Sequence, residues 1–464
     1  MTHTAYAHFI GVGGAGMSGL ARVLHDRGLV VTGSDLKSSR YARALEEAGV
    51  TVYIGHDATH LGDPEVVVIS SAIPDSNPEL VAARERGIEV WPRAKMLAHI
   101  ARQDLTLAVA GTHGKTTTSS MLASALDGMG HEPSFLIGGE LNDMGANARC
   151  GRQGYCVVEA DESDGSFLFL DPHVALVTNV EADHLDHYGS FEEILSTFGE
   201  FIGKTDPEGL VVVCADDPTL VALARERSRA RVVTYGSDEA AEVRCEDVRA
   251  EGICHRFTVA FPDGSRVQAT VSVPGVHNVV NATGVMAALW ALGLDTAAAA
   301  SALGRFTGVR RRFERVGEVD GVIVVDDYAH HPTEVRATLR AARDAGFPRI
   351  WAVFQPHRYS RTRALGGDFG ASFGEADRIV LMDVYGAGEA PVPGVSGKTI
   401  LDELLLRHPH APVAYFPHRA DIERYLVDRL RPGDLVMTMG AGDVTTIGGE
   451  LVRALEAARE DAPR

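Results

Sequence analysis

The sequence predicts an α/β protein of three sheet-centred domains, and three observations predict it. Short apolar runs alternate with helix-like spacers along the whole chain, the pattern of βαβ units. At about 150 residues per domain, 464 residues supply more than one core. Gly is abundant at 49 residues and aromatics make up 6%, a composition that suits tight turns and parallel strands better than a sandwich or a disordered chain.

The first alternation runs AHFIGV, LVVTGSD, VTVYIG and EVVVISSAI, with MSGLARVLHDRG and SRYARALEEAG as helical spacers. It predicts a small parallel-sheet domain over 1–102. The second starts at LTLAVAGTHGKTTTSS and continues through YCVVEADES, VALVTNVEADH, GLVVVCADD and RVVTYG. Near its end ICHRFTVAFPDGSRVQATVSV alternates with period 2 around Pro-Asp-Gly, an antiparallel hairpin, and the helix of HNVVNATGVMAALWALG follows. This central, mostly parallel domain is expected over 103–308. A linker near Gly308 to Arg312 leads to a third alternation over 309–464: GVIVVDD, RIWAVF, RIVLMD, APVAYF and DLVMTM. No short-period repeat is present.

The balance of 44 basic and 63 acidic residues, net −19, argues against a nucleic-acid or membrane-surface partner and requires local positive pockets for anionic ligands. Five cysteines (Cys150, Cys156, Cys214, Cys245, Cys254) without a Cys-x-x-Cys pair indicate neither a disulfide framework nor a zinc site. With no signal-like start and no long apolar stretch, the expectation is a cytoplasmic protein without stable membrane insertion.

Four groups of residues carry chemistry. In VAGTHGKTTTSS an apolar strand enters a Gly-rich loop, Gly111 to Gly114, that ends in Lys115 and Thr116 where a helix begins. Backbone N–H groups and the helix dipole converge there on phosphate, with Lys115 for the β/γ-phosphates and Thr116 for Mg²⁺. Gly11, Gly13 and Gly16 follow a strand in G-x-G-x-x-G spacing with Asp35 at the end of the next strand. That spacing serves a dinucleotide or the diphosphate of a nucleotide sugar equally well. Two acidic clusters end apolar strands: Glu159, Asp161 and Glu162, then Glu181, Asp183, His184 and Asp186. Mg²⁺ takes oxygen ligands and keeps waters, so one or two of these carboxylates suffice; loop solvation or helix capping is the plain alternative. DDYAHHP and FQPHRYSRTR set His and Arg after strands, a combination suited to carboxylate and phosphate.

Taken together, GVGGAGMSG, AGTHGKTTT, VVEADESDGSF, TNVEADHLDHY, PGVHNVVNA, GVRRRF, DDYAHHP, FQPHRYSR and GAGD, in this order across nearly the whole chain, resemble the Mur ligase family. The resemblance implies an ATP- and Mg²⁺-dependent carboxylate–amine ligase of bacterial cell-wall (peptidoglycan) synthesis, with a UDP-sugar domain, a central ATP domain and a C-terminal Rossmann-like domain that closes over both. The wording is nearest the branch whose small-molecule partners are UDP-N-acetylmuramate and L-alanine.

Carried over position by position, the resemblance implies that Gly11, Gly13, Gly14, Gly16 and Met17, with Asp35, Ser70 and Ser71, meet the UDP-sugar. Gly111, Thr112, His113, Gly114, Lys115, Thr116 and Thr117 hold ATP phosphates, His277, Asn278 and Asn281 the adenine side, and Asp327 the ribose. Thr116, Glu159 and His184 form the metal set. Tyr328, His330, His357, Arg358 and Arg361 receive L-alanine and the reacting carboxylate, and with Lys115 and His184 make up the catalytic group. His330 or His357 is expected as the amine's base because imidazole titrates near neutrality. Several members carry a carbamylated lysine where this chain has Gly199, with no lysine until Lys204; the L-alanine branch is expected to lack it. A tripeptide-joining ligase on the same UDP-sugar, a nicotinamide oxidoreductase and a plain ATPase stay open at this point.

Overall fold

The computed structural model describes residues 6–152 and 154–460, with the side chains of residues 186 and 460 outside the description. The first sheet contains β1 (Tyr6–Ile10), β2 (Val30–Asp35), β3 (Thr51–Ile54), β4 (Val66–Ile69) and β5 (Glu89–Pro92), all parallel in the order β3-β2-β1-β4-β5. The chain steps outward from β1 in one direction, then returns to its other side at β4. A crevice therefore opens at the C-terminal ends of β1 and β4, where ligands of open α/β sheets bind.

The second sheet is built from β6 (Leu105–Ala110), β7 (Ser134–Leu141), β8 (Ala146–Arg149), β9 (Tyr155–Glu159), β10 (Val174–Val177), β11 (Leu210–Cys214), β12 (Arg231–Gly236), β13 (Val243–Glu251), β14 (Cys254–Ala260) and β15 (Arg266–Val271), in the order β15-β14-β13-β12-β11-β10-β6-β9-β7-β8. β6, β9, β10 and β11 pair in parallel, and their near-continuous burial is that of strands covered on both faces. β7 and β8 pair antiparallel. The Pro-Asp-Gly turn joins β14 to its neighbour β15, closed by Phe261 N–H to Ser265 C=O at 2.9 Å.

The third sheet has β16 (Glu314–Val319), β17 (Val322–Asp327), β18 (Arg349–Phe354), β19 (Arg378–Leu381), β20 (Val413–Tyr415) and β21 (Asp434–Met439), ordered β16-β17-β21-β18-β19-β20. β16 runs antiparallel to β17 and the others are parallel. Apolar clusters cover both of its faces.

Packing groups these sheets into two compact units: Met1–Glu246, Thr258–Ala269 and Val280–Arg305, and Asp247–Phe257, Thr270–Val279 and Phe306–Arg464. The first sheet and most of the second share a unit because one apolar core runs through both, from Phe9 and Leu20 to Val158 and Phe201, while parts of β13, β14 and β15 fall to the other unit. Helix Ala15–Asp26 lies against β8 at Gly19, where a Cβ would come 2.8 Å from that of Ala148. Gly199 plays a similar part in helix Phe191–Gly203: a Cβ would press the side chains of Leu223 and Arg227 of helix Pro218–Arg227 at 3.2 and 3.1 Å, so a larger residue there requires those side chains to shift. Helix starts follow local chemistry. Asn77 and Asp217 cap helices that open with Pro78 and Pro218, and His331 forms a capping box with Glu334 ahead of Pro332. All five cysteines are free; Cys156, Cys214 and Cys245 are buried.

Candidate active site

Between β6 and helix Lys115–Gly128 the backbone makes a turn that only glycine accommodates. Gly111 has φ +134° and Gly114 φ +82°, and a Cβ on Gly111 would lie 2.1 Å from Thr178 Oγ1. The contact is tight because the segment after β10 holds the loop. Thr178 Oγ1 and Asn179 Nδ2 donate to His113 C=O at 2.6 and 3.1 Å. His113 N–H donates to Asn179 Oδ1 (2.9 Å), Thr112 N–H to Asn179 C=O (3.0 Å) and Glu181 N–H to Thr112 Oγ1 (2.8 Å). Asn281 lies over Gly114, its Oδ1 3.1 Å from where a Cβ would be. The loop's shape is thus set before any phosphate arrives, and the first turn of the helix, through Thr116 and Thr117, offers its N–H groups.

The two acidic clusters flank this loop because β9 and β10 are the neighbours of β6 on either side. Lys115 Nζ donates to Gly111 C=O (2.6 Å), Thr112 C=O (3.1 Å) and Glu162 (2.9 Å). Burial opposes its charge, but Glu162, Asp161 and Glu159 outweigh burial and raise the ammonium pKa. Glu162 is 2% exposed, and burial pushes its carboxyl up to about 7 against the pull of Lys115. Thr116 Oγ1 donates to Glu159 Oε1 at 2.9 Å, and Gly138 N–H holds the other oxygen of Glu159 at 2.6 Å. A hydroxyl and a carboxylate side by side are hard oxygen donors that suit Mg²⁺. His184, φ +54°, stands 3.9 Å from Glu162 and 3.6 Å from Asp183; Asp186, grouped with it by sequence, has its side chain outside the described residues.

At the first sheet Gly11 and Val12 N–H donate to Ser34 C=O (2.8 and 3.0 Å) and Gly13 N–H to Asp35 Oδ2 (2.9 Å). Helix Ala15–Asp26 begins after Gly14. Ser70 and Ser71 follow β4 in the crevice beside this turn, Ser71 exposed. One expectation changes here. Met17 is 3% exposed within the apolar core, which leaves only its backbone to meet a ligand. Asp35, besides the ligand contact expected of it, braces the glycines with one carboxylate oxygen.

In the second unit His277 is exposed, whereas Asn278 is buried and its Nδ2 donates to Pro274 C=O at 2.7 Å, a bond that fixes the helix start. Asp327, expected as a ribose contact, is 6% exposed. Its oxygens accept Phe313 and Ala329 N–H, both at 2.8 Å, and burial pushes it up to about 6. The guanidinium groups of Arg311 and Arg312 lie over the Tyr328 ring, 4.9 and 5.3 Å from its centre. His330 and His357 stack edge to face at 5.7 Å. Burial, reinforced by Arg361 and, for His357, by His330 and Arg358, pushes both imidazoles down to about 4. Neither titrates near neutrality, which corrects the expectation of a base poised at pH 7. Both are neutral acceptors beside Arg358 and Arg361.

Sequence reading offered Glu162 only as one of several Mg²⁺ carboxylates, not as the partner of Lys115, and assigned no role to Thr178, Asn179, Gln355 or Asp443. Gln355 bridges the ends of β18 and β21, donating to Asp443 (2.7 Å) and accepting Val444 N–H (3.1 Å). Each acts by proximity between strands distant in sequence, and no local pattern marks that.

Three family models match in order: Mur ligase family, catalytic domain, over 6–104; Mur ligase middle domain over 109–289; and Mur ligase, glutamate ligase domain, over 311–442. The chain is 51% identical over 452 residues to the UDP-N-acetylmuramate–L-alanine ligase of Rubrobacter xylanophilus, covering 97% of this chain and 99% of that one. It superposes on the crystal structure of UDP-N-acetylmuramate-alanine ligase from Thermotoga maritima with TM-score 0.82 at 30% identity, covering 98% and 100%. A murein peptide ligase from Psychrobacter arcticus gives 0.71 at 28% identity, covering 97% and 98%.

Proposed function

The chain belongs to the Mur ligase family, and from that premise we propose that it joins L-alanine to the lactyl carboxylate of UDP-N-acetylmuramate, using ATP, in peptidoglycan synthesis. The observation that carries this reading is the near-full-length likeness to curated ligases of that name. The phosphate loop with its clamped Lys115 gives it a physical basis.

A carboxylate is unreactive toward an amine at pH 7 because its oxide is a poor leaving group. The lactyl carboxylate attacks the γ-phosphorus of ATP; an O–P bond forms, the P–O bond to ADP breaks, and an acyl phosphate results. The amine of L-alanine then forms the C–N bond, phosphate departs and the amine loses a proton. Phosphoryl transfer asks the chain for position and charge. Lys115, kept charged by its carboxylates, exchanges Gly111 C=O, Thr112 C=O and Glu162 for phosphate oxygens. Thr116 and Glu159 would hold Mg²⁺, which neutralises phosphate charge when bound; His184 stands by Glu162 as a further donor. Arg358 and Arg361 attract carboxylate, and neutral His330 and His357 accept hydrogen bonds from the amino group rather than store its proton. The Gly11–Gly16 turn with Ser70 and Ser71 takes the UDP portion. No helix among the described residues is long and apolar enough to cross a membrane, and the soluble substrates suit a cytoplasmic setting.

The test is phosphate release from ATP and Mg²⁺ with UDP-N-acetylmuramate and L-alanine added singly and together. Release is expected only with both. Release with neither, or only when a tripeptide replaces L-alanine, overturns the reading.

A further inference from the structure

Between helix Ala15–Asp26, helix Arg93–Ala101 and strands β7 to β9 lies a cavity whose polar lining comes from Gly16, Arg93, Gly138, Asn147, Glu159 and Asp161. Its other walls are aliphatic. Most of the polar groups are already engaged. Glu159 accepts from Thr116 and Gly138, Asn147 Nδ2 donates to Ala15 C=O at 3.0 Å, and Asp161 accepts Ser163 N–H at 3.1 Å.

Arg93 differs. It is half-buried, its Nη1 reaches within 3.0 Å of where a Cβ would stand on Gly16, and its charge adds a smaller pull to that of Lys115 and the Ser163 hydrogen bonds, which together lower the Asp161 carboxyl against burial. Among the described residues no acceptor lies within hydrogen-bonding reach of it. Two other part-buried arginines of this unit are satisfied, Arg27 by Asp104 and Ile100 C=O and Arg149 by Asp127. A guanidinium carries five donors and no acceptor, so Arg93 brings unfilled donors to the cavity wall. Its planar fork matches carboxylate or phosphate oxygens.

We propose that Arg93 binds an anionic group of the sugar nucleotide: either the carboxylate of its lactyl arm, in which case Arg93 selects among sugar nucleotides, or the diphosphate that all of them share. The inference rests on the ligase reading above. The cavity's lining includes Gly16, next to the glycine turn and beside Arg93, and also Glu159, which is paired with Thr116. A sugar lying in it is thereby in reach of both the diphosphate turn and the phosphoryl-transfer residues.

Calorimetric titration of the full chain, Arg93→Ala and Arg93→Lys, each with UDP-N-acetylmuramate and with UDP-N-acetylglucosamine, tests this, because the second nucleotide has the diphosphate without the lactyl carboxylate. An ATP analogue titrated in parallel reports that the variants are folded. Arg93→Ala is expected to weaken UDP-N-acetylmuramate roughly 10- to 100-fold with ATP-analogue affinity retained, and Arg93→Lys to recover only part of the loss. Loss confined to UDP-N-acetylmuramate assigns the lactyl carboxylate; equal loss for both nucleotides assigns the diphosphate. Equal affinities for UDP-N-acetylmuramate in all three proteins overturn the proposal, while an unmutated chain that binds no UDP-N-acetylmuramate overturns the ligase reading instead.

Discussion

Lys115 and Glu162 form a buried pair whose members answer to different forces: the lysine to three carboxylates, the glutamate to burial. Replacing Lys115 by Ala removes a donor aimed at transferring charge, and turnover is expected to fall roughly 10³-fold. Near-normal turnover in that variant would remove Lys115 from the mechanism. The same substitution leaves Glu162 without its cation. Burial holds that carboxyl at about 7 even beside Lys115, and losing the ammonium raises it further. A carboxyl raised in the folded state loses stability progressively as pH rises from its unfolded value toward its folded one, so Lys115→Ala is expected to lose stability from about pH 5 up to and beyond pH 7, and Glu162→Gln in the same background to remove the loss; thermal melts at about pH 5 and pH 7 decide it. Glu79 works in the opposite sense. Burial opposes its ionisation, but His8 and Ser34 outweigh burial and lower its pKa, with His56 and His60 at 3.3 and 3.2 Å. A depressed carboxyl contributes stability above its unfolded pKa that is lost as pH falls through the folded one. Glu79→Ala, which leaves three histidines and a buried serine facing a gap, is expected to cost about 3 kcal/mol at pH 7 in denaturant titration. A cost under about 1 kcal/mol would show that the cluster is solvated.

At the scale of elements, the functional groups sit where strands end, and that much could be read from the sequence: an apolar run followed by Gly-Lys-Thr, by Glu-x-Asp-Glu or by Asp-Asp-Tyr marks its own C-terminal edge. The order of strands in space could not be read. β9 and β10 border β6, so two acidic segments far apart in the chain meet one loop, and only that adjacency explains why Thr178 and Asn179 shape it. The side-chain commitments of Met17, Asp35, Asn278 and Asp327 were hidden for the same reason, since burial and backbone partners come from neighbours brought by the fold. Gly111 shows the consequence most sharply. A methyl there would strike Thr178 Oγ1 at 2.1 Å in addition to sitting at φ +134°, whereas Gly130, φ +85°, faces open space. Gly111→Ala should cost about 3 kcal/mol or more and abolish nucleotide binding, while Gly130→Ala should cost about 1 kcal/mol and leave binding intact. Equal effects of the two substitutions in melts and nucleotide titrations would mean that the loop yields to accommodate the methyl.

For the whole molecule, three alternations in sequence become two compact units, because the core of the first sheet continues into the second while the third sheet buries its own faces. Units with separate cores unfold as separate cooperative transitions unless their contact is large and apolar, so calorimetry is expected to resolve two. The phosphate loop, Thr116 and Glu159 all belong to the first unit. A nucleotide that binds them stabilises the folded form of that unit by mass action, about 2.7 kcal/mol at a hundredfold excess over its dissociation constant. For a domain of this size that moves its transition up by several degrees. Lys115→Ala should abolish most of the shift while both transitions remain. A nucleotide that raised only the transition of the second unit, identified as the one lowered by Val436→Ala in the core of the third sheet, would place the binding energy on the wrong unit and sink the assignment of the Gly111–Thr117 loop as the phosphate site.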